Sequence, residues 1–223
     1  MSSYQKEIAI CDLIDRENPY HLWIVSFAQA RQDLFMVNNK IIRLLDGNLS
    51  STELYYFTRM NVGHLRESIK LLTAAYDSIK TRLDKIHHFK GKYDELITLL
   101  DGEGKDSFNF KVLREARDST FHYNKTESEF EGTKIALQKM YDEKLMTGFI
   151  LGETRGLCDY YFAYHINIYW LTELGRKYGL DTPSTIRRIG EVASKVMDIL
   201  TDIIDDFVKR PFIESKGYGI FTR

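Results

Sequence analysis

Proline and cysteine are both scarce in this sequence, and their scarcity restricts the fold. Its three prolines, at positions 19, 183 and 211, fall where the flanking residues predict a helix start or a helix end. The two cysteines, Cys11 and Cys158, are far apart and match no metal-binding or redox spacing. We therefore expect an all-α chain without a disulfide framework, in a reducing compartment, with both thiols buried.

Long apolar runs and an excess of one charge are also missing. No stretch approaches the roughly 18–20 apolar residues of a membrane span, and acidic residues interrupt the N-terminal region where a secretory signal would lie. With 31 lysines and arginines against 32 acidic residues, the net charge of −1 gives no overall attraction to nucleic acid or membrane. These absences predict a cytoplasmic protein with no membrane association, in which any contact with nucleic acid is local.

What the sequence does contain is helical periodicity with recognisable ends. Asn18-Pro19 predicts the N-cap and first residue of a helix that runs to about Asp46. Gly47 is expected to end that helix in a left-handed conformation. The Ser50–Glu53 spacing is that of a capping box, which predicts the start of the next helix.

Three further stretches have apolar residues at helical spacing. The first has Leu65, Ile69, Leu72, Tyr76 and Ile79. The second has Ile86, Phe89, Tyr93, Leu96 and Leu100. The third follows Thr182-Pro183 and has Ile186, Ile189, Val196, Leu200, Ile203 and Phe207. Short connections between such helices predict one antiparallel bundle over residues 1–223, with 101–106 as an alternative minor boundary.

One segment, residues 113–124 (LREARDSTFHYN), combines side chains suited to phosphodiester chemistry. An imidazole such as His122 transfers protons near neutral pH, and a guanidinium such as Arg117 holds a phosphate. Asp118 lies four residues before His122, so on a helix its carboxylate could orient the imidazole and raise its pKa. Lys111 and Arg114 precede these groups and could steer an RNA backbone toward them.

The spacing of an arginine and a histidine five residues apart is not specific by itself. It occurs at 16–21, 59–64 and 82–87 as well as at 117–122. Three features favour the fourth pair: Asp118 follows its arginine, the stretch 105–125 has five cations against three acids, and His122 lies beside a predicted helix end. We therefore select Arg117, Asp118 and His122 as the candidate catalytic residues.

The sequence RDSTFH at 117–122, followed by a turn and a capped helix, resembles the HEPN family. Members are all-α domains with an Arg-polar-x3-His signature, and Arg117, Asp118 and His122 match it residue by residue. The resemblance covers residues 110–142. It implies a metal-independent endoribonuclease of phage defence, a toxin–antitoxin system or RNA processing, usually a homodimer in which two motifs line one cleft.

The same resemblance implies RNA or a nucleotide as ligand, an antitoxin or other protein as a further partner, and no cofactor. Tyr123 is then a candidate substrate contact beside Lys111 and Arg114. In one toxin branch a tyrosine stands two residues after the histidine. Here Asn124 occupies that position, so the tyrosine modification of that branch is not expected.

Three other interpretations remain open. The charged groups could be ordinary ion pairs such as Arg114 with Asp118, because Arg117 and His122 lie about 140° apart on an ideal helix. The domain could be a non-catalytic HEPN-like module that binds a nucleotide or supports a dimer. It could also be a metal-dependent bundle enzyme, in which isolated histidines converge in the core; the candidates are His21, His64, His122 and His165.

Overall fold

The computed structural model describes residues 9–47, 51–101, 131–144, 169, 171–173 and 175–209. The helices with defined bounds are α1 (Ile10–Leu13), α2 (Pro19–Asp46), α3 (Ser51–Leu83), α4 (Phe89–Asp101), α5 (Glu131–Asp142) and α6 (Thr182–Lys209). Every regular element within these ranges is helical, which confirms the all-α prediction. None of the described helices combines the length and the apolar character needed to cross a bilayer.

Helices α2, α3 and α6 form the centre of an antiparallel bundle. The end of α2 lies beside the start of α3, where Lys40 Nζ is 3.8 Å from Glu53 Oε1. The start of α2 lies beside the end of α6, where the rings of Tyr20 and Phe207 meet edge to face at 6.0 Å. Neighbouring helices therefore run in opposite directions, as short connections in a bundle require.

Helix α4 packs on α6 and follows α3 through a tight corner at residues 84–88. Lys92 and Lys195 form ion pairs with Asp202 and Glu95, respectively, across the α4–α6 contact. The stretch between the end of α4 and the start of α6, residues 102–181, is thus inserted between two helices that touch each other. The predicted motif lies in this insertion.

The two ends of α2 show one correct and one incorrect prediction. The side chain of Asn18 accepts a hydrogen bond from Tyr20 N at 3.0 Å, which confirms the predicted N-cap. Gly47 has φ −110° and ψ 159°, so the left-handed helix end predicted there is wrong. The extended backbone leads the chain from α2 toward α3, which starts only four residues later. Ser50 lies outside the described residues, and its capping role stays a prediction.

The apolar faces predicted for α4 and α6 are confirmed, and that of α3 only in part. All five residues of the α4 stretch and all six of the α6 stretch are buried. In α3, Leu65 and Leu72 are buried, whereas Ile69, Tyr76 and Ile79 are only partly so. Ile79 has non-helical dihedral angles (φ −129°, ψ 24°), and this kink interrupts the regular face.

Two asparagines form a polar contact inside the apolar core. Asn61 Nδ2 donates to Asn38 Oδ1, and Asn38 Nδ2 donates to Ser194 Oγ, each at 3.5 Å. Asn38 and Asn61 are buried, and no described group bonds to Asn61 Oδ1. These three residues come from α2, α3 and α6. A polar contact in an apolar interface favours one register of the helices, because a shifted register would leave more buried amides unpaired.

The expectation that Cys11 is a buried thiol is wrong. Cys11 is exposed, because α1 is a single turn with no buried residue and cannot cover its own side chains. Cys158 lies outside the described residues.

Candidate functional site

The residues proposed for catalysis and substrate binding lie in the insertion between α4 and α6. All of them fall within residues 102–130, outside the described residues: Lys111, Arg114, Arg117, Asp118, His122 and Tyr123. Their roles stay predictions. The structure describes the helix that precedes this segment, the helix that follows it, and the three competing arginine–histidine spacings.

The spacing at 16–21 is occupied by contacts at the start of α2. Asp15 N donates to His21 Nδ1 at 2.9 Å, and the His21 ring meets Phe207 edge to face at 5.0 Å. Arg16 is exposed and pairs with Glu17 at 3.1 Å. His21 therefore fixes the turn before α2 and packs against the end of α6.

The spacing at 59–64 contributes to the contact between α2 and α3. His64 Nδ1 lies 3.7 Å from Asp33 Oδ2, with both side chains partly exposed. Asp33 belongs to the other helix and is 31 positions away, so no local spacing could have indicated this pair. A carboxylate beside an imidazole also occurs here, but as a link between two helices.

The spacing at 82–87 divides between two different partners. The guanidinium of Arg82 lies over the ring of Tyr20, 3.6 Å from its centroid. His87 instead stacks on His88, with ring centroids 3.6 Å apart. The arginine and the histidine are thus directed to separate contacts.

The described histidines do not assemble into the metal site considered as an alternative. His64 pairs with Asp33, twelve residues and about 18 Å along α2 from His21. Within the described ranges, no three His, Cys, Asp or Glu residues are grouped as metal ligands. That statement includes Asp84, His87 and His88, so neither set fits a metal ion.

A cavity of about 630 Å³ lies between α1, α2 and α6. Its described lining is mainly aliphatic, including Ile10, Leu13, Ile24 and Ile204, and Asp33 is the only charged residue. A phosphate needs cationic or N–H donors. The described lining of this cavity offers no cation for an RNA backbone.

A cluster of polar contacts anchors α5, the helix that follows the motif. Tyr169 Oη donates to Glu143 Oε1 at 3.0 Å. Glu173 accepts from Lys139 Nζ at 3.1 Å and from Arg176 at 2.8 Å. These contacts join the end of α5 to the helical residues 169–176, so they fix the C-terminal side of the motif-bearing segment.

Two ionisable groups in this cluster have shifted pKa values. Burial, aided by the hydrogen bond to Glu143, raises the pKa of Tyr169 to about 12. Burial would raise the pKa of Glu173 as well, but Lys139 and Arg176 outweigh that effect and lower it. The neutral phenol and the charged carboxylate are therefore the forms that the folded cluster favours.

Tyr169→Phe is expected to lower the free energy of unfolding by about 1 kcal/mol at neutral pH, because one buried hydrogen bond is lost. The raised pKa means that Tyr169 contributes fully below about pH 10 and loses its contribution as the pH rises toward 12. Urea unfolding at several pH values should show a steeper loss of stability over that range in wild type than in the variant. Parallel curves would contradict the assigned phenol–carboxylate contact. The exposed Tyr141, replaced by phenylalanine, is the matched control.

Comparison with protein-family models, with curated proteins and with solved structures finds no match to this chain. The resemblance to the HEPN family therefore rests on the residues at 117–122 themselves.

Proposed function

We propose that this protein is a HEPN-like, metal-independent endoribonuclease of the cytoplasm, acting in phage defence or as the toxin of a toxin–antitoxin system. One observation carries the proposal: of four arginine–histidine spacings, only 117–122 has a carboxylate directly after the arginine. The structure supports this choice indirectly. His21, His64 and His87, the competing histidines, are each engaged in contacts that do not include their own arginines.

The proposed reaction is attack of an RNA 2′-hydroxyl on the adjacent phosphorus. His122 takes the hydroxyl proton, the new bond to phosphorus forms, and the bond to the 5′-oxygen breaks as that oxygen receives a proton. Arg117 stabilises the charge that develops on the phosphoryl oxygens. Asp118 orients the imidazole. In a dimer, the two copies of His122 supply the base and the acid.

A two-fold dimer is part of this proposal, because residues five apart lie about 140° apart on one helix. Two motifs facing each other across the axis would let Arg117 of one copy act with His122 of the other. Substrate atoms would then lie between the copies.

Mixing two inactive variants tests both the dimer and the shared site. Arg117→Ala and His122→Ala should each be inactive alone. Under free exchange, half of the dimers are mixed and each has one intact pair, so about a quarter of wild-type cleavage should return. A mixture that stays inactive although the subunits exchange would contradict a site shared between copies. Tight RNA binding without cleavage by wild type would instead favour the non-catalytic HEPN-like module.

A further inference from the structure

The corner between α3 and α4 is strongly basic in a chain that is nearly neutral. Residues 80–92 contain five lysines and arginines and one acidic residue, Asp84. The local balance is +4, whereas the whole chain has −1. Such a concentration of charge attracts a polyanion locally even when the net charge does not.

Part of this charge is engaged within the fold. Lys92 pairs with Asp202 on α6. Arg82 lies over the Tyr20 ring at 3.6 Å, and Lys80 Nζ is 5.1 Å from the centroid of the Tyr76 ring. These three cations stabilise contacts of the bundle.

The remaining groups face solvent without such partners. Lys85, His87, His88 and Lys90 are all exposed. No described carboxylate, including the exposed Asp84, lies within ion-pair distance of Lys85 or Lys90. Gly91 is open on its outer side, since a Cβ built there would meet no atom within 4 Å. The surface is therefore both cationic and accessible to a bulky anion.

The two histidines adopt an unusual arrangement for an exposed corner. His88 has φ +63°, a left-handed conformation that is uncommon for residues other than glycine. In this arrangement its ring stacks on that of His87, with centroids 3.6 Å apart and 39° between the planes. Neither ring packs on the core. A stacked pair of exposed flat rings resembles the platforms on which unpaired bases stack.

The first turn of α4 adds to the positive potential. It contains Lys90 and Lys92 and no acidic residue. Cations are disfavoured at a helix N-terminus, because the helix dipole is positive there. The sequence thus accepts a local electrostatic cost that an anionic ligand would relieve.

We propose that Lys85, His87, His88 and Lys90 form a binding surface, the 85–90 corner, for the backbone and bases of single-stranded RNA. This inference rests on the proposed function, for which the corner would hold the substrate. Lysines contact phosphates without reading sequence, while the paired rings favour unpaired bases over a duplex. Helix α4 then extends about 20 Å from the corner to Asp101, beyond which the motif-bearing segment begins.

The test measures binding of a fluorescent 2′-O-methyl RNA of about 16 nucleotides, a length that covers a typical single-strand site. This RNA cannot be cleaved through its 2′-oxygen, so binding is separated from the proposed reaction. For Lys85→Gln/Lys90→Gln, the slope of log affinity against log salt should fall by about 1.4, or 0.7 for each phosphate contact. At 0.1 M salt that difference corresponds to roughly 25-fold weaker binding. The double variant Lys70→Gln/Lys177→Gln makes the same charge change at other exposed sites and should bind like wild type.

His88→Gly distinguishes binding from folding. Glycine suits the left-handed backbone, so thermal stability should be kept or increased while RNA affinity falls. Equal affinity for wild type and both corner variants would overturn the inference. Equal corner-dependent binding of duplex DNA or of anionic phospholipid vesicles would overturn the assignment to single-stranded RNA. If His122→Ala keeps its cleavage activity while the corner variants lose affinity, the proposed catalytic site fails and the corner stands.

Discussion

Replacing His122 by alanine is expected to reduce the rate of RNA cleavage by about 10²–10⁴-fold, the usual contribution of a general acid or base. Arg117→Ala should cause a comparable loss, because no other group of the motif can replace its guanidinium at the phosphoryl oxygens. Arg117→Lys should not restore full activity, since lysine lacks the planar pair of donors. The measurement is initial cleavage of an unstructured RNA by purified protein.

His64→Ala is the matched control for this prediction. His64 has the same spacing to an arginine and also lies beside a carboxylate, Asp33, yet it belongs to the contact between α2 and α3. Its loss should leave cleavage near wild type. The His122 variant should keep its free energy of unfolding within about 1 kcal/mol, as expected for an accessible residue. A strongly destabilised His122→Ala protein would indicate a packing role and contradict the proposed one.

Phe27→Ala is expected to lower the free energy of unfolding by about 3–5 kcal/mol, the cost of removing a large aromatic from a close-packed core. Phe27 is fully buried in the middle of α2, and its ring stacks on Trp23 at 6.0 Å. Urea denaturation followed by circular dichroism gives the change directly. Such a loss is a large part of the stability of a typical domain.

Phe35→Ala provides the comparison on the same helix. The side chain of Phe35 is 37% exposed, and the guanidinium of Arg31 lies 4.7 Å from the centre of its ring. Its removal should cost about 1 kcal/mol, because little apolar area returns to water. Equal losses for the two variants would contradict the assignment of Phe27 to the core and Phe35 to the surface.

The sequence predicted the helices best where the local pattern agrees with the packing. The apolar stripe of α6 is buried as predicted, because that helix lies between α2, α3 and α4. The end of α2 at Gly47 was mispredicted, since its conformation depends on the position of α3 and not on the glycine. Cys11 was also misplaced, because residue type alone does not reveal that α1 is only one turn long.

The candidate site shows a different limit. Residue spacing could place Asp118 and His122 on one face of a predicted helix, but it could not reveal Asp33 beside His64, which comes from another helix. The stacked rings of His87 and His88 depend on one left-handed residue, and no periodic pattern predicts such a residue. Spacing can thus suggest chemistry within one helix, whereas contacts between helices require the fold.

The position of the 102–181 insertion has a consequence for the newly made chain. Helices α2, α3 and α4 leave the ribosome first, and the core cannot close until α6, ending at Lys209, has followed. At about 5–20 residues per second, the 108 residues from Asp101 to Lys209 take roughly 5–20 seconds to synthesise. During that interval the motif has been made but the helix that completes its supporting bundle has not. A chain that stops within the insertion would contain Arg117 and His122 on an unfinished scaffold, so interrupted synthesis would yield an inactive fragment rather than an uncontrolled nuclease.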